Sequence, residues 1–247
     1  MSEARRTVMF LIAGAAVAVT LVLAIVRLPA FGGSHHLYRD FAVAAAVKHH
    51  AANVVSSVNF DQRGFDTLGE EIILLASVMG VTVLLRRAED EEHAATISPG
   101  RVLDATSLGG YALLPVTLVL GFDVIAHGHL TPGGGFQAGV ILGTGLHLLY
   151  VAGRYRALER LRPVALFEYG EALGAAAFAC LGISGSFVIG AFLANFIHTG
   201  TLGQLWSAGT VPVLNVAVGI EVASGVMVLL AKFFEQAILL RRSESPR

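Results

Sequence analysis

The chain has 247 residues, of which 55% are hydrophobic and only 14% are charged, and its formal net charge is -1. A soluble domain carries about a quarter charged residues, so this composition argues against an ordinary soluble fold. The net charge and the lack of a basic tract exclude nucleic acid as a partner. The single cysteine, Cys180, excludes an internal disulfide and a cysteine-based metal cluster. The natural unit of such a chain is a transmembrane helix of about 20 residues.

Six apolar segments are predicted to cross the bilayer as α-helices. The first follows Arg5 and Arg6 like a signal peptide, but its apolar run is long and no small-residue cleavage site follows, so we interpret it as a retained helix. The second is apolar only from Ile72 to Leu85 and needs residues 68–71 to reach bilayer length. The six predicted spans are Val8–Val26, Leu68–Leu85, Thr106–Ile125, Phe136–Val151, Glu168–Leu193 and Val211–Phe233.

The distribution of positive charge predicts the orientation of these spans. Thirteen of the 17 Lys and Arg residues fall on one side if both termini are cytoplasmic, as the positive-inside rule favours. The four exceptions all lie in the long first loop: Arg27, Arg39, Lys48 and Arg63. We therefore expect an all-α, multi-pass protein of the cell inner membrane, with its N- and C-termini inside and an even number of spans.

The first loop has an amphipathic pattern of its own over residues 40–60. Its apolar positions are Phe41, Ala44, Val47, Ala51, Val54 and Val58. This spacing predicts a helix that lies in the membrane interface or against a neighbouring protein of a complex. The pairs His35-His36 and His49-His50 do not predict a metal site, because adjacent histidines on a helix point about 100° apart.

A polar segment divides the chain into two membrane units. Residues 86–101 read RRAEDEEHAATISPGR, which is too charged for the bilayer and contains a Ser-Pro-Gly break. We predict a two-helix unit over residues 1–87, a cytoplasmic linker over 88–103, a four-helix unit over 104–240 and a cytoplasmic tail over 241–247.

The two-helix unit carries a motif that resembles a known transporter segment. Its sequence reads NVV and then DQRGFDTLGE, followed by an apolar helix. It is similar to the terminal two-helix segment of the large subunit of Mrp-type cation/proton antiporters, which membrane-bound hydrogenases have as a separate small protein of the MbhE type. Gln62 stands where that family usually has phenylalanine. The matching residues are Asn53, Asp61, Arg63, Gly64, Asp66, Thr67, Leu68, Gly69 and Glu70.

The four-helix unit carries a second motif, GHLTPGGGFQAG, between the third and fourth spans. It resembles the signature of the MnhB/MrpB family of Mrp antiporters, whose four-helix members also occur in the antiporter-like module of membrane-bound hydrogenases. Ala138 stands where the family usually has glycine. The Pro-Gly-Gly-Gly run cannot continue a helix, so it also fits a simple tight connection. The matching residues are Gly128, His129, Pro132, Gly133, Gly134, Gly135, Phe136 and Gly139.

The two motifs in tandem resemble a fusion of the two-helix segment to an MrpB-like protein. The resemblance implies a membrane subunit of a multi-subunit Na+/H+ (or other cation/proton) antiporter that lines or seals the translocation path. Its implied partners are the other subunits, the bilayer, Na+ and H+; no cofactor or catalytic chemistry is expected. Two alternatives remain: a subunit of the antiporter-like module of a membrane-bound hydrogenase or related respiratory complex, and a purely structural assembly subunit.

Ionisable residues in or beside the spans are the candidates for an ion or proton path, because charge at membrane depth is costly. The candidates are Glu70, Glu171, Glu221, His147, Asp66 and Asp123. Glu221 stands midway along the sixth span and is predicted to be the deepest carboxylate. Each candidate also has a structural interpretation: Glu221 as a hydrogen-bonding partner of a neighbouring helix, and Asp123 as a solvated group at the outer interface.

Overall fold

Helices make up most of the part of the chain that a computed structural model describes, residues 3–28, 37–86, 103–152 and 164–243. The helices are α1 (Glu3–Val26), α2 (Leu37–Lys48), α3 (Val54–Ser57), α4 (Gly64–Leu84), α5 (Asp104–Ala126), α6 (Gly135–Ala152), α7 (Val164–Val188) and α8 (Val211–Ser243). A π-helical turn, Val58–Gln62, joins α3 to α4. The described residues contain no β-strand, which confirms the prediction of an all-α protein.

Five of the six predicted spans are confirmed as helices long and apolar enough to cross a membrane. They are Thr7–Val26, Gly64–Leu84, Asp104–Ala126, Ala165–Val188 and Val211–Phe233. The remaining predicted span, Phe136–Val151, lies within the 18-residue helix α6. At about 1.5 Å per residue, α6 is at the short end of what the hydrocarbon core requires. The chain is therefore a multi-pass membrane protein.

The chain divides into two compact units, Met1–Asp40 and Phe41–Arg247. In the first unit, α1 is apolar on all sides from Val8 to Val26 except at Thr20, as a lipid-exposed span requires. Most of the predicted cytoplasmic linker, the pair His35-His36 and the last four residues of the predicted tail lie outside the described residues.

Helix α8 is the centre of the second unit, where it contacts α4, α5, α6 and α7. Small residues bring the neighbouring backbones close to it, as is usual between transmembrane helices. A Cβ added at Gly139 on α6 would lie 2.6 Å from Cβ of Val222, and one at Gly174 on α7 would lie 2.6 Å from Cβ of Glu221. The side chains of α8 therefore face protein on several sides at mid-membrane.

The amphipathic segment of the first loop is shorter than its pattern predicts. Helix α2 ends at Lys48, because His50 adopts a φ of +57°, which an α-helix does not accommodate. The predicted apolar face is split. Ala51 is buried in the core of the second unit and Val54 packs against it, whereas Phe41, Ala44 and Val47 on α2 are exposed, Phe41 at 73%. On α2 itself the small Ala42 and Ala46 are the buried residues, which allows close packing.

The fifth predicted span is wrong at its C-terminal end. Helix α7 stops at Val188, and the next turn contains Gly190 with a φ of +90°. Leu193, predicted as the last residue of the span, adopts a φ of +60° in a non-helical segment that leads to α8. The uninterrupted apolar sequence concealed this break, because hydropathy does not distinguish helix from a folded-back chain.

Candidate functional site

Two carboxyl groups meet inside the bundle, at the contact of α4 with α8. Glu71 and Glu221 are both fully buried, and their carboxyls lie close enough to interact electrostatically. Within the described residues, none of the four carboxyl oxygens has a hydrogen-bond partner. Two negative charges buried side by side repel each other, so a proton on either carboxyl relieves the repulsion. The pair is therefore a candidate site for holding a proton.

A third carboxyl, that of Glu171 on α7, lies one helical turn along α8 from this pair. Glu171 is 3% exposed and interacts electrostatically with Glu221. Its Oε1 is 3.1 Å from the position that a Cβ would occupy at Gly225. Gly225 therefore leaves the space in which the Glu171 carboxyl sits.

The three carboxyls stand in order along the bundle, because α4 and α7 run in opposite directions. Gly64, at the start of α4, faces Leu193 beyond the end of α7, whereas Val78, late in α4, lies with Glu171 at Gly225. Glu71 thus lies on the Gly64 side of Glu171 along the bundle. Glu221, midway along the 23-residue span of α8, stands between them. We name Glu71, Glu221 and Glu171 the acid ladder.

The Pro-Gly-Gly-Gly motif holds the end of α6 against α8. The amide of Gly135 donates a hydrogen bond of 2.9 Å to Oδ1 of Asn215, and Nδ2 of Asn215 donates to Oγ of Ser56. Gly133 and Gly134 have φ angles of +153° and +138°, which glycine adopts without strain. A Cβ at Gly135 would overlap the Asn215 carbonyl oxygen, so glycine is required there by close approach.

The first motif is tied to the second through Asn53. Its Nδ2 donates to the carbonyl oxygens of Gly128 and Thr131 at 2.7 and 2.8 Å, and its backbone amide donates to the carbonyl of His129. Asn53 also accepts bonds at the N-terminus of α3, where Oδ1 caps the amides of Val55 and Ser56. The two sequence motifs thus form one continuous network.

His129 is completely buried within this network, outside the membrane-spanning segments. Its ring lies beside the backbone of Gln204 and Leu205, in the segment between α7 and α8. Burial lowers the pKa of His129 below its usual value, and the nearby His127 acts in the same direction. Burial is the largest effect and favours the neutral ring, although the backbone of Gln204 and Leu205 acts in the opposite direction.

The remaining polar residues of the first motif position the start of α4. Nδ1 of His49 is 2.5 Å from Oδ2 of Asp61, whose side chain is 3% exposed. Arg63 forms an ion pair with Asp66, and Oγ1 of Thr67 donates 2.7 Å to the carbonyl oxygen of Asn59. These contacts serve structure: they fix the turn that sets the rotation of α4.

The structure brings together only some of the predicted path residues. Glu70 is exposed on α4, on a different face from Glu71, and Asp66 is exposed beside Arg63. Asp123 is exposed and bonded to Nδ1 of His127 at 2.9 Å. His147 is half-buried on α6. Their roles stay predictions, and only Glu171 and Glu221 belong to the acid ladder.

Two important residues were missed from the sequence. Glu71 was not distinguished from Glu70, although the spacing of Gly64, Thr67 and Val78, which are buried with it on α4, would have selected it. The sequence does not single out Asn215, because the partners of a lone asparagine in an apolar helix lie on other helices and leave no local pattern. Only the packing of α6 and α3 against α8 reveals its role.

Comparison with protein families assigns both halves of the chain. Residues 107–228 match a domain related to the MnhB subunit of Na+/H+ antiporter. Residues 1–100 match the MbhE family, the E subunit of MBH. The two matches occur in the order that the sequence motifs indicated.

The chain is also similar to individual relatives and to solved structures. An uncharacterized protein of Methanocaldococcus jannaschii is 28% identical over 70% of this chain and 73% of its own length. The probable A/B subunit of a K(+)/H(+) antiporter of Rhizobium meliloti is 32% identical over 48% of this chain, but only 14% of that relative is covered. A chain of an archaeal membrane-bound sulfane sulfur reductase has the same fold, with a TM-score of 0.71, 24% identity, and coverage of 92% of this chain and 97% of that one. The Mrp complex of a Dietzia species gives a TM-score of 0.66 at 24% identity, covering 94% of this chain and 26% of that one.

Proposed function

Because residues 107–228 belong to the family related to the MnhB subunit of Na+/H+ antiporters, we propose that this chain is a membrane subunit of a multi-subunit cation/proton antiporter. Its part in that complex is to carry protons along the acid ladder and to seal the surrounding bundle. It performs no catalytic chemistry of its own. The observation that carries the proposal is the fully buried Glu71–Glu221 carboxyl pair, which lies where two membrane-spanning helices pack together.

The arrangement of the acid ladder suits proton transfer better than a purely structural role. A buried carboxyl pair is costly, and a structural hydrogen bond is made at lower cost by neutral side chains such as asparagine. Three carboxyls on three helices, ordered along the bundle, give successive positions for one proton. The glycines at positions 174 and 225 keep space around Glu221 and Glu171 for these side chains.

The direct test is exchange in everted membrane vesicles that contain the complete complex. Glu221→Gln keeps the size of the side chain and its hydrogen-bonding capacity but cannot release a proton. We expect the variant complex to assemble and to lose most of its cation-driven dissipation of a pH gradient. Glu168→Gln is the matched control, because Glu168 is an exposed glutamate on α7 three residues before Glu171.

Two outcomes would contradict the proposal. If the Glu221→Gln complex assembles at normal levels and exchanges at the wild-type rate, the acid ladder is not the path. If substitutions in the ladder lower the amount of assembled complex, but the complex that does assemble exchanges at the wild-type rate per molecule, the chain has a structural role only.

A second candidate function is supported by the fold match over 97% of a chain of the sulfane sulfur reductase complex. In that case the same ladder would serve an ion-pumping module coupled to a respiratory enzyme. Purification of the tagged chain from native membranes, with identification of the stoichiometric partners, separates the two. Redox subunits in the complex would favour the respiratory module, and their absence from an exchange-competent complex would favour the antiporter.

A further inference from the structure

The chain folds back along α7 after this helix ends at Val188. The backbone amide of Leu193 donates a 3.0 Å hydrogen bond to the carbonyl oxygen of Gly182. A Cβ at Gly185 would lie 2.8 Å from the backbone nitrogen of Ala194. Residues 191–194 therefore retrace about two turns of α7, or about 9 Å along its axis. We name residues 189–210 the return segment.

This return places irregular backbone alongside the membrane spans. Leu193 is buried in the main core and approaches Gly64, the first residue of the α4 span. The rings of Phe192 and Phe65 are in edge contact, with centroids 6.4 Å apart. Non-helical backbone at this depth must satisfy its hydrogen bonds within the protein.

The return segment does satisfy much of its backbone internally. The amide of Ala208 donates 2.9 Å to the carbonyl oxygen of Thr199. Asn195 bridges the same loop, since its Nδ2 donates to the carbonyl of Ala208 and its Oδ1 accepts from the amide of Thr210. Such internal pairing is what a segment shielded from water requires.

The return segment exposes most of its large apolar side chains and buries two of its hydroxyl groups, unlike a typical water-exposed loop. Ser207 and Thr210 are buried, at 0% and 2% exposure. The large apolar side chains point outward: Ile189, Phe192, Ile197, Leu202, Leu205 and Trp206, the last at 82% exposure. The whole stretch from residue 172 to 220 contains no Asp, Glu, Lys or Arg.

We propose that the return segment is a re-entrant element seated in the lipid leaflet at this end of the bundle, with Trp206 at the level of the headgroups. The outward apolar surface continues from Phe187 on the last turn of α7, which is 87% exposed. Exposed Thr201 and Gln204 lie beside Trp206, and this mixture of polar and aromatic groups is typical of the membrane interface. Lipid is the occupant that fits this surface, because its outward side chains are large, apolar and aromatic and no Asp, Glu, Lys or Arg lies among them.

Trp206 is the only tryptophan of the chain, so its fluorescence reports directly on this segment. The full chain is reconstituted in phosphatidylcholine vesicles, with and without lipids brominated near the headgroup end of the acyl chain. We expect the brominated lipid to reduce the emission at least by half and aqueous iodide to leave it unchanged. Quenching by iodide without quenching by bromine would overturn the proposal, because the segment would then lie in water.

The assembled complex provides the second arm of the test. The difference in emission between the wild-type complex and a Trp206→Phe complex isolates the signal of Trp206. Retained bromolipid quenching supports the proposal, whereas its loss shows that another protein of the complex covers the segment and overturns it. Phe187→Trp in the Trp206→Phe background is the matched control for an exposed position at the end of a membrane-spanning helix, and it should also be quenched by the brominated lipid.

Discussion

The carboxyls of Glu71 and Glu221 lie together where α4 packs on α8, fully buried and, within the described residues, without a hydrogen-bond partner. The two residues come from two segments that separate family models match. The carboxyl pair is therefore assembled only when the two segments pack together.

The neighbours Glu70 and Glu71 provide a matched pair for mutation. We expect Glu71→Gln to lower exchange in everted vesicles on the order of tenfold, which corresponds to a barrier about 1.4 kcal/mol higher. Glu70→Gln should leave the rate close to wild type, because this side chain points out of the bundle. The reverse result, with only Glu70→Gln impaired, would support the sequence prediction and place the path on the outer face of α4.

Asn215→Ala tests the network that joins α3, α6 and α8. The substitution removes the acceptor of the Gly135 amide and the donor to Ser56, so buried polar groups are left unpaired. We expect a loss of about 1–3 kcal/mol of unfolding free energy for such groups, measured as a lower melting temperature of the purified chain in detergent. Thr144→Ala, at an exposed position of α6, is the control and should change little. An unchanged melting temperature for Asn215→Ala would show that Asn215 does not stabilise the contact of α3, α6 and α8.

Gly135→Ala and Gly69→Ala distinguish close packing from local helix preference. A Cβ at Gly135 overlaps Asn215, so we expect α6 to be forced away from α8, with a loss of stability of about 1–3 kcal/mol. A Cβ at Gly69 meets nothing within 4 Å, and alanine there should stabilise α4 by about 0.5–1 kcal/mol. The melting temperature should fall for Gly135→Ala and rise for Gly69→Ala. Equal shifts in the two variants would contradict this packing.

The buried neutral His129 makes stability depend on pH. Its pKa is lowered in the folded protein by burial, so the unfolded chain binds the proton more readily in acid. The stability that neutral His129 provides is present above its ordinary pKa of about 6.5 and is lost as the pH falls below it. We expect the melting temperature to drop between about pH 7.5 and 5.5, on either side of that ordinary pKa, and to drop less in His129→Gln. An identical pH dependence in both proteins would show that His129 does not contribute.

The sequence predicts the helices better than it predicts their ends. Five spans are confirmed because a run of about 20 apolar residues rarely forms anything other than a transmembrane helix. The end of α7 was misplaced because residues from Val188 to Leu193 are as apolar as the helix before them, although the chain turns back at Gly190. The helix predicted in the first loop was too long for a related reason. Its amphipathic pattern continues past His50, but the backbone leaves the helical conformation at that residue.

The sequence by itself determined that this chain is a polytopic helical membrane protein and which motifs it carries, since composition and short-range spacing are local properties. It also placed Glu171 and Glu221 in the spans. Only the tertiary structure decided that Glu71, and not Glu70, faces Glu221, because one position along a helix is about 100° of rotation and that rotation is set by packing. The tertiary structure likewise decided that the chain between α7 and α8 returns along the bundle, because no local rule distinguishes an apolar loop from an apolar helix once both are surrounded by lipid and protein.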